Sequence, residues 1–441
     1  MAPRGLAVRV VDCTISAGKT ETWFHYMDIV KKPAAALAGI RVLDLTGGAE
    51  QYAGKMLGQL GADVILVEPP GGCAARRQGP FIDGRPHLEN SLSFASWNQG
   101  KRGICIDLES VEGQRIFEQL AHHEHMLISA DIGGGLSFRR EQADKLRLGN
   151  PALITANISL FGETGPYCEY RGDDLVAMAM GGLLNLGGYP GKAPTSPWGE
   201  QGLLAAAQFT AVACLVALWE VEQKGGRGQH LDVSVQESVA MALENSAQFF
   251  ELEGKVRQRN GGEQRQAGTG VFACLDGMVY LMAGGIASNR FWAATAQWLA
   301  DMQAPGAARL AEARWNDQLF LQTDEAKDIF ASVFLPYAAG QTKAALYAEG
   351  QRRRIPICPV STPADLLDNR QLLHRHFFQT VAHPYSGREL TLPGAPYRLA
   401  ATPWQAGPPA PRLGEHTAGV LAEAGIDPQA QQVLFRQGVI A

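Results

Sequence analysis

The chain has 441 residues, 46% of them hydrophobic and 19% charged, with a formal net charge of -5. That length supports two or three domains around a sizeable core, and the mildly acidic balance argues against a nucleic-acid partner. Cys13, Cys73, Cys105, Cys168, Cys214, Cys274 and Cys358 are odd in number and scattered, with no C-x-x-C pair. They point to reduced thiols in a cytoplasmic protein rather than a disulfide framework or zinc site.

Residues 1–36 read as an irregular extension without the apolar stretch of a signal peptide, and Met27 is an alternative start. Residues 38–45 are a first buried strand, 46–54 a glycine-rich turn, 55–62 a helix and 62–70 a second apolar strand. Strand, turn, helix and strand make a βαβ unit and imply a parallel sheet. The TGG turn lacks G-x-G-x-x-G, so close helix–strand packing and a ligand role both stay open. Residues 94–108, 113–130 and 150–167 continue the pattern. This places Asn98, Lys101, Arg102 and Arg171 on loops at strand ends, where open α/β sheets bind ligands.

The run 203–221 is long enough to raise a membrane span. It carries Gln208 and Thr210 and has no basic or aromatic anchors at its ends, so it reads as the core helix of a soluble protein. Residues 232–260 are helical and then lose their pattern in a polar, glycine-rich hinge or lid. A hairpin turns at Asp276-Gly277, helices run from 289 to 350, and the end is proline-rich.

In residues 170–235, DLVAMAMGG and ALWEVEQKGGRGQHLDVS resemble the class III CoA-transferases, the formyl-CoA transferase and carnitine CoA-transferase group. The similarity extends from about 37 to 426 through VLDL, LGADVILVEPP, NQGKRGICIDL, FGETGPY, RIPICPV and PAPRLGEHTAGVL. It implies an α/β fold, with a Rossmann-like large domain built from both chain ends, a smaller α+β domain between them, and an interlocked dimer. Boundaries follow as 37–235 for the first part of the large domain, a linker at 236–260, a small domain at 261–360, a linker at 361–385, and 386–441 returning to the large domain.

The resemblance also implies a chemistry. Coenzyme A and acyl-CoA are substrates, a free carboxylic acid is the acceptor, and no metal, membrane or nucleic acid takes part. A carboxylate attacks the thioester, and a mixed anhydride and an enzyme-CoA thioester follow. Counting back from Ala217-Leu218 puts the family's nucleophilic aspartate at Leu203, which cannot serve. Glu200 is the nearby carboxylate; its alternative role is to cap or support the helix start. Asp174 falls near the active site by the same alignment, with helix capping as its alternative. The racemase branch of the superfamily carries G-H-D where this chain has Gly172-Asp173-Asp174, which counts against a racemase. Arg171 matches a CoA-contacting position, and Lys101, Arg102 and Asn98 are further candidates for the CoA phosphates. The family's residues in the first turn are replaced by Gly47, Gly48, Ala49 and Glu50.

His122, His123 and His125 lack supporting ligands and read as a surface cluster. His416 reads as structural, and Cys168 and Cys214 lack the setting of a nucleophile. Paired enzymes of the family exist in which one subunit lacks the aspartate, the succinyl-CoA:benzylsuccinate type among them. The expected partner is therefore a homologous catalytic subunit. The alternatives are a homodimer using Glu200 and a CoA-ester isomerase.

Overall fold

The computed structural model describes residues 35–243, 245–284 and 291–441, so nearly all of the N-terminal extension lies outside the described residues. The first half alternates strand and helix: β1 (Arg41–Asp44), α1 (Tyr52–Gln59), β2 (Asp63–Glu68), β3 (Arg102–Cys105), α2 (Val111–Ala121), β4 (Met126–Ala130), α3 (Arg140–Gly149), β5 (Ile154–Ser159), α4 (Asp174–Met180), α5 (Gln201–Lys224), β6 (His230–Ser234) and α6 (Val235–Met241). All six strands are parallel, in the order β3-β2-β1-β4-β5-β6. Helices cover both faces of the sheet, so β4 and β5 are buried along their whole length rather than alternating. The order reverses between β1 and β4, and a crevice at the carboxyl ends of those two strands is the geometric consequence.

One face of the sheet packs against α1 and α5 through Leu57, Ile128, Ile158, Ala206 and Cys214. Gly225 ends α5 in the left-handed conformation at φ +60°, open to glycine at little cost. α5 is the one helix among the described residues long and apolar enough to cross a membrane. Its Leu203, Ala207, Ala211 and Leu218 face the protein core, as the sequence reading expects. Its other side does not: Phe209, Val212, Val216 and Trp219 are between 44% and 64% exposed.

The opposite face of the sheet is covered from both ends of the chain. Leu43, Ile65, Ile104 and Phe117 share a cluster with Val420, Leu421, Leu434 and Ile440 from the last forty residues. His416 is structural, its Nδ1 accepting the Gly103 N–H at 3.1 Å. Arg76 is fully buried and bonds both oxygens of Glu68 (2.7 and 2.8 Å), Glu89 (2.9 Å) and the Pro411 carbonyl (3.1 Å). This network fastens the returning chain to the end of β2.

Between the two parts lie β7 (Thr269–Cys274), β8 (Gly277–Met282) and β9 (Ile357–Pro359), an antiparallel sheet whose first turn is the one predicted at Asp276-Gly277. It packs on α7 (Trp292–Asp301), α8 (Asp324–Ala338) and α9 (Lys343–Arg353) through Phe272, Trp298, Phe330 and Phe334. Across the end of the expected linker at 361–385, β10 (Phe378–Ala382) pairs antiparallel with β11 (Glu389–Pro393). The last two helices are α10 (Thr417–Glu423) and α11 (Pro428–Arg436).

Candidate functional site

The crevice is built where two glycine turns meet. Gly47 and Gly48 follow β1, and Gly133, Gly134 and Gly135 follow β4. A Cβ on Gly47 would lie 2.4 Å from the Gly134 carbonyl carbon, so only glycine permits this approach. Beside the second turn opens a cavity of about 590 Å³, lined by residues 133–135 with Asp131, Arg139, Tyr170 and Arg171. Arg139 is held by Asp131 at 2.8 Å and Glu169 at 2.5 Å. The Arg171 guanidinium has no hydrogen-bond or ion-pair partner among the described residues. Two acids of the lining, Asp131 and Glu169, thus take up Arg139, which leaves Arg171 as the guanidinium open to a phosphate.

At the other side of the crevice α5 begins. Asp173 caps α4 by accepting the Val176 N–H at 3.2 Å. Asp174 instead reaches across to α5, where its Oδ1 accepts the Leu203 N–H at 2.9 Å, and Gly202 donates to it as well. A carboxylate from a neighbouring helix thus satisfies the first-turn donors of the long helix. Burial pushes the Asp174 carboxyl up, and those two backbone bonds pull against it.

Glu200 occupies the N-cap position of α5 and makes no side-chain capping bond. Gln78 bonds its carboxylate, while Oε2 is buried without a hydrogen-bond partner. Burial raises its pKa first, and the charges of Asp174 and Asp173 add to the shift. Leu203, one turn later, is 5% exposed and packed in the core of the α1–α5 face.

Glu50 is the feature the sequence reading passed over as merely a changed turn residue. It is wholly buried; Oε2 accepts the Gly48 N–H at 3.0 Å, and Oε1 has no partner. Burial first, then the charges of Glu200 and Asp44, raises its carboxyl from 4.5 to about 7. Arg139 was also missed, although a three-glycine run at a strand end followed by arginine is a readable signal.

Three candidate CoA contacts have partners within the protein. Lys101 is 1% exposed, and its Nζ is spent on Asp44 (2.7 Å), the Gln51 carbonyl (2.7 Å) and Asn98 Oδ1 (2.8 Å). Asn98 is equally enclosed, its Nδ2 donating to Gln51 Oε1 at 2.6 Å. Arg102 opens β3 at the opposite end of the sheet, paired with Asp63 and Glu423. Of the four basic and amide candidates, only Arg171 faces the crevice. Elsewhere, His125 Nδ1 accepts the Arg41 N–H at 3.2 Å, and burial pushes the Cys214 thiol up to about 12.

Comparison with known proteins gives a consistent result. The family described as CoA-transferase family III matches residues 37–417. The chain is similar to succinyl-CoA:(R)-benzylsuccinate CoA-transferase subunit BbsE of Thauera aromatica, with 37% identity over 404 residues, covering 91% of this chain and 97% of that one. The beta subunit of succinyl-CoA–L-malate CoA-transferase from Chloroflexus aurantiacus is 30% identical, over 88% and 93% of the two chains. Among solved structures, a CAIB/BAIF family protein from Brucella suis superposes with a TM-score of 0.75 at 24% identity, covering 89% of this chain and all of that one.

Proposed function

The chain belongs to CoA-transferase family III, and from that premise we propose that it is the supporting subunit of a hetero-oligomer that moves CoA from succinyl-CoA to a dicarboxylic acid. Buried Leu203 carries this reading. Acyl transfer by a carboxylate needs an oxygen nucleophile at the thioester carbon; here the position is an apolar side chain inside the core. Only its backbone N–H engages the crevice side, and it is already bonded to Asp174. What survives is a binding surface: Arg171 for a CoA phosphate, and the glycine turns as a close backbone wall.

Relatives support the assembly and the substrate class. The Thauera protein is described as a subunit, and the Chloroflexus malate enzyme has alpha and beta subunits. Benzylsuccinate, malate, citramalate and mesaconate, in the names of these relatives, are all dicarboxylic acids. The exposed stripe on α5 supports burial against a homologous chain, in the interlocked arrangement the family resemblance implies. A cytoplasmic setting is in keeping with the free, buried Cys73, Cys105 and Cys214.

One observation favours a second reading. Glu200 is a carboxylate with an unpartnered oxygen, one turn before Leu203. In that reading it attacks the thioester itself. Assaying CoA exchange with the purified chain, alone and with an aspartate-bearing homologue, separates the two. The supporting-subunit reading expects no exchange by the chain alone, and Glu200→Gln leaving the pair's kcat within about twofold. Exchange by the chain alone that Glu200→Gln abolishes would establish the second.

A further inference from the structure

Asn157 lies in β5 with no exposed surface, a place where an amide needs its bonding accounted for. Its Nδ2 donates to Glu163 Oε1 at 2.9 Å and to Asp131 Oδ1 at 3.3 Å, and its Oδ1 accepts the Ser129 hydroxyl at 2.9 Å. Two carboxylates on one side and a hydroxyl on the other fix which way the amide points, because an ionised carboxylate can only accept.

Each of these partners holds part of the crevice. Asp131 lines the cavity and grips Arg139 Nε at 2.8 Å through its other oxygen. Arg139 in turn bonds Glu169 Oε1 at 2.5 Å and the Cys168 carbonyl at 3.3 Å, just before Arg171 in the chain. Ser129 accepts the Phe138 N–H at 3.2 Å, beside Arg139. Glu163 anchors the start of the same loop, which runs from β5 to α4. Its Oε1 also meets His230 Nε2 at 2.9 Å, its Oε2 accepts the Arg140 N–H at 3.0 Å, and its own N–H donates to Asp232. The Thr155 hydroxyl holds the other side of the His230 ring, 2.9 Å from Nδ1. Arg171 follows on this loop with no side-chain partner among the described residues, so its place at the cavity is set by the backbone that carries it.

We propose that Asn157 is a positioning residue for phosphate recognition: by tying Glu163 to the Asp131–Arg139 clamp, it holds the loop that presents Arg171. The inference rests on the reading of the crevice as a CoA site. Arg171 supplies the charge, and Asn157 supplies the geometry that places it.

Calorimetric titration of the full chain with CoA, and with pantetheine, which lacks the phosphates, tests it. Arg171→Ala and Asn157→Ala each weaken CoA by about tenfold, and neither changes pantetheine. The double variant binds CoA no more weakly than Arg171→Ala alone, because both changes act on one contact; an unrelated loss of packing would add to it. Glu163→Gln, which turns an amide toward the Arg140 N–H or the Asn157 amide, also weakens CoA, and it decides alone should Asn157→Ala fail to fold. CoA binding that Arg171→Ala weakens but Asn157→Ala and Glu163→Gln leave untouched would overturn the positioning role. Additive losses, or an equal loss of pantetheine, would overturn it as well. A wild-type chain that binds no CoA, or binds it equally after Arg171→Ala, would overturn the crevice reading itself and this inference with it.

Discussion

Glu50 is trapped where the two glycine turns close on each other. A Cβ on Gly133 would lie 2.7 Å from both of its carboxyl oxygens. The groups that face it are Gly48 N–H, Glu200 and Asp44, and Asp44 is itself neutralised by Lys101. With no cation of its own, Glu50 keeps its proton to about pH 7. The unfolded chain releases that proton near 4.5, so between 4.5 and 7 the folded state binds more protons and stability falls as pH rises. That shift is worth about 3 kcal/mol. Glu50→Gln is expected to flatten this descent in pH-dependent denaturant melts; an unchanged slope would mean Glu50 ionises normally.

Arg76 offers a second test at this scale. Its bonds are to Glu68 at the end of β2, to Glu89 in the loop before β3, and to Pro411 in the returning chain. Arg76→Met leaves the Glu68 carboxylate buried and unpaired, at a cost of about 3–5 kcal/mol, readable as a lowered urea midpoint. The expectation for Leu203 was legible in the sequence, by counting back from Ala217-Leu218. The isolation of Glu50 was not, since it depends on a glycine more than eighty residues away.

Among the elements, α5 shows how far composition reaches. Its apolar run identified a core helix, and half of it is one. Periodicity did not separate the two faces, because almost every position is apolar and no polar stripe marks the outer side. The start of α5 was illegible for another reason: its capping carboxylate, Asp174, comes from a different helix. The pair β10 and β11 was missed because it is short and set among glycine, proline and polar residues, the composition of a linker. Val216→Glu combined with Trp219→Glu is expected to dissociate the assembly while leaving circular dichroism unchanged, checked by light scattering. A variant that keeps its native mass would show that this stripe is not an interface.

At the scale of the whole molecule, the parallel sheet and the building of the large domain from both chain ends were legible, from the βαβ rhythm and the family landmarks respectively, whereas the order of the strands was not. The location of the basic candidates was only partly so. Sequence places Lys101, Arg102 and Asn98 near strand ends, but which end, and whether inside or outside, is decided by their partners Asp44, Asp63 and Gln51. The result is a member of CoA-transferase family III with Arg171 beside a glycine-walled crevice and Leu203 buried near the start of α5, on which the proposed supporting role rests. Native mass spectrometry of the complex from source cells, followed by trapping of covalent acyl and CoA adducts on each chain, tests this most directly. The account predicts a second homologous chain bearing all of the label. A homodimer labelled at Glu200 would contradict it.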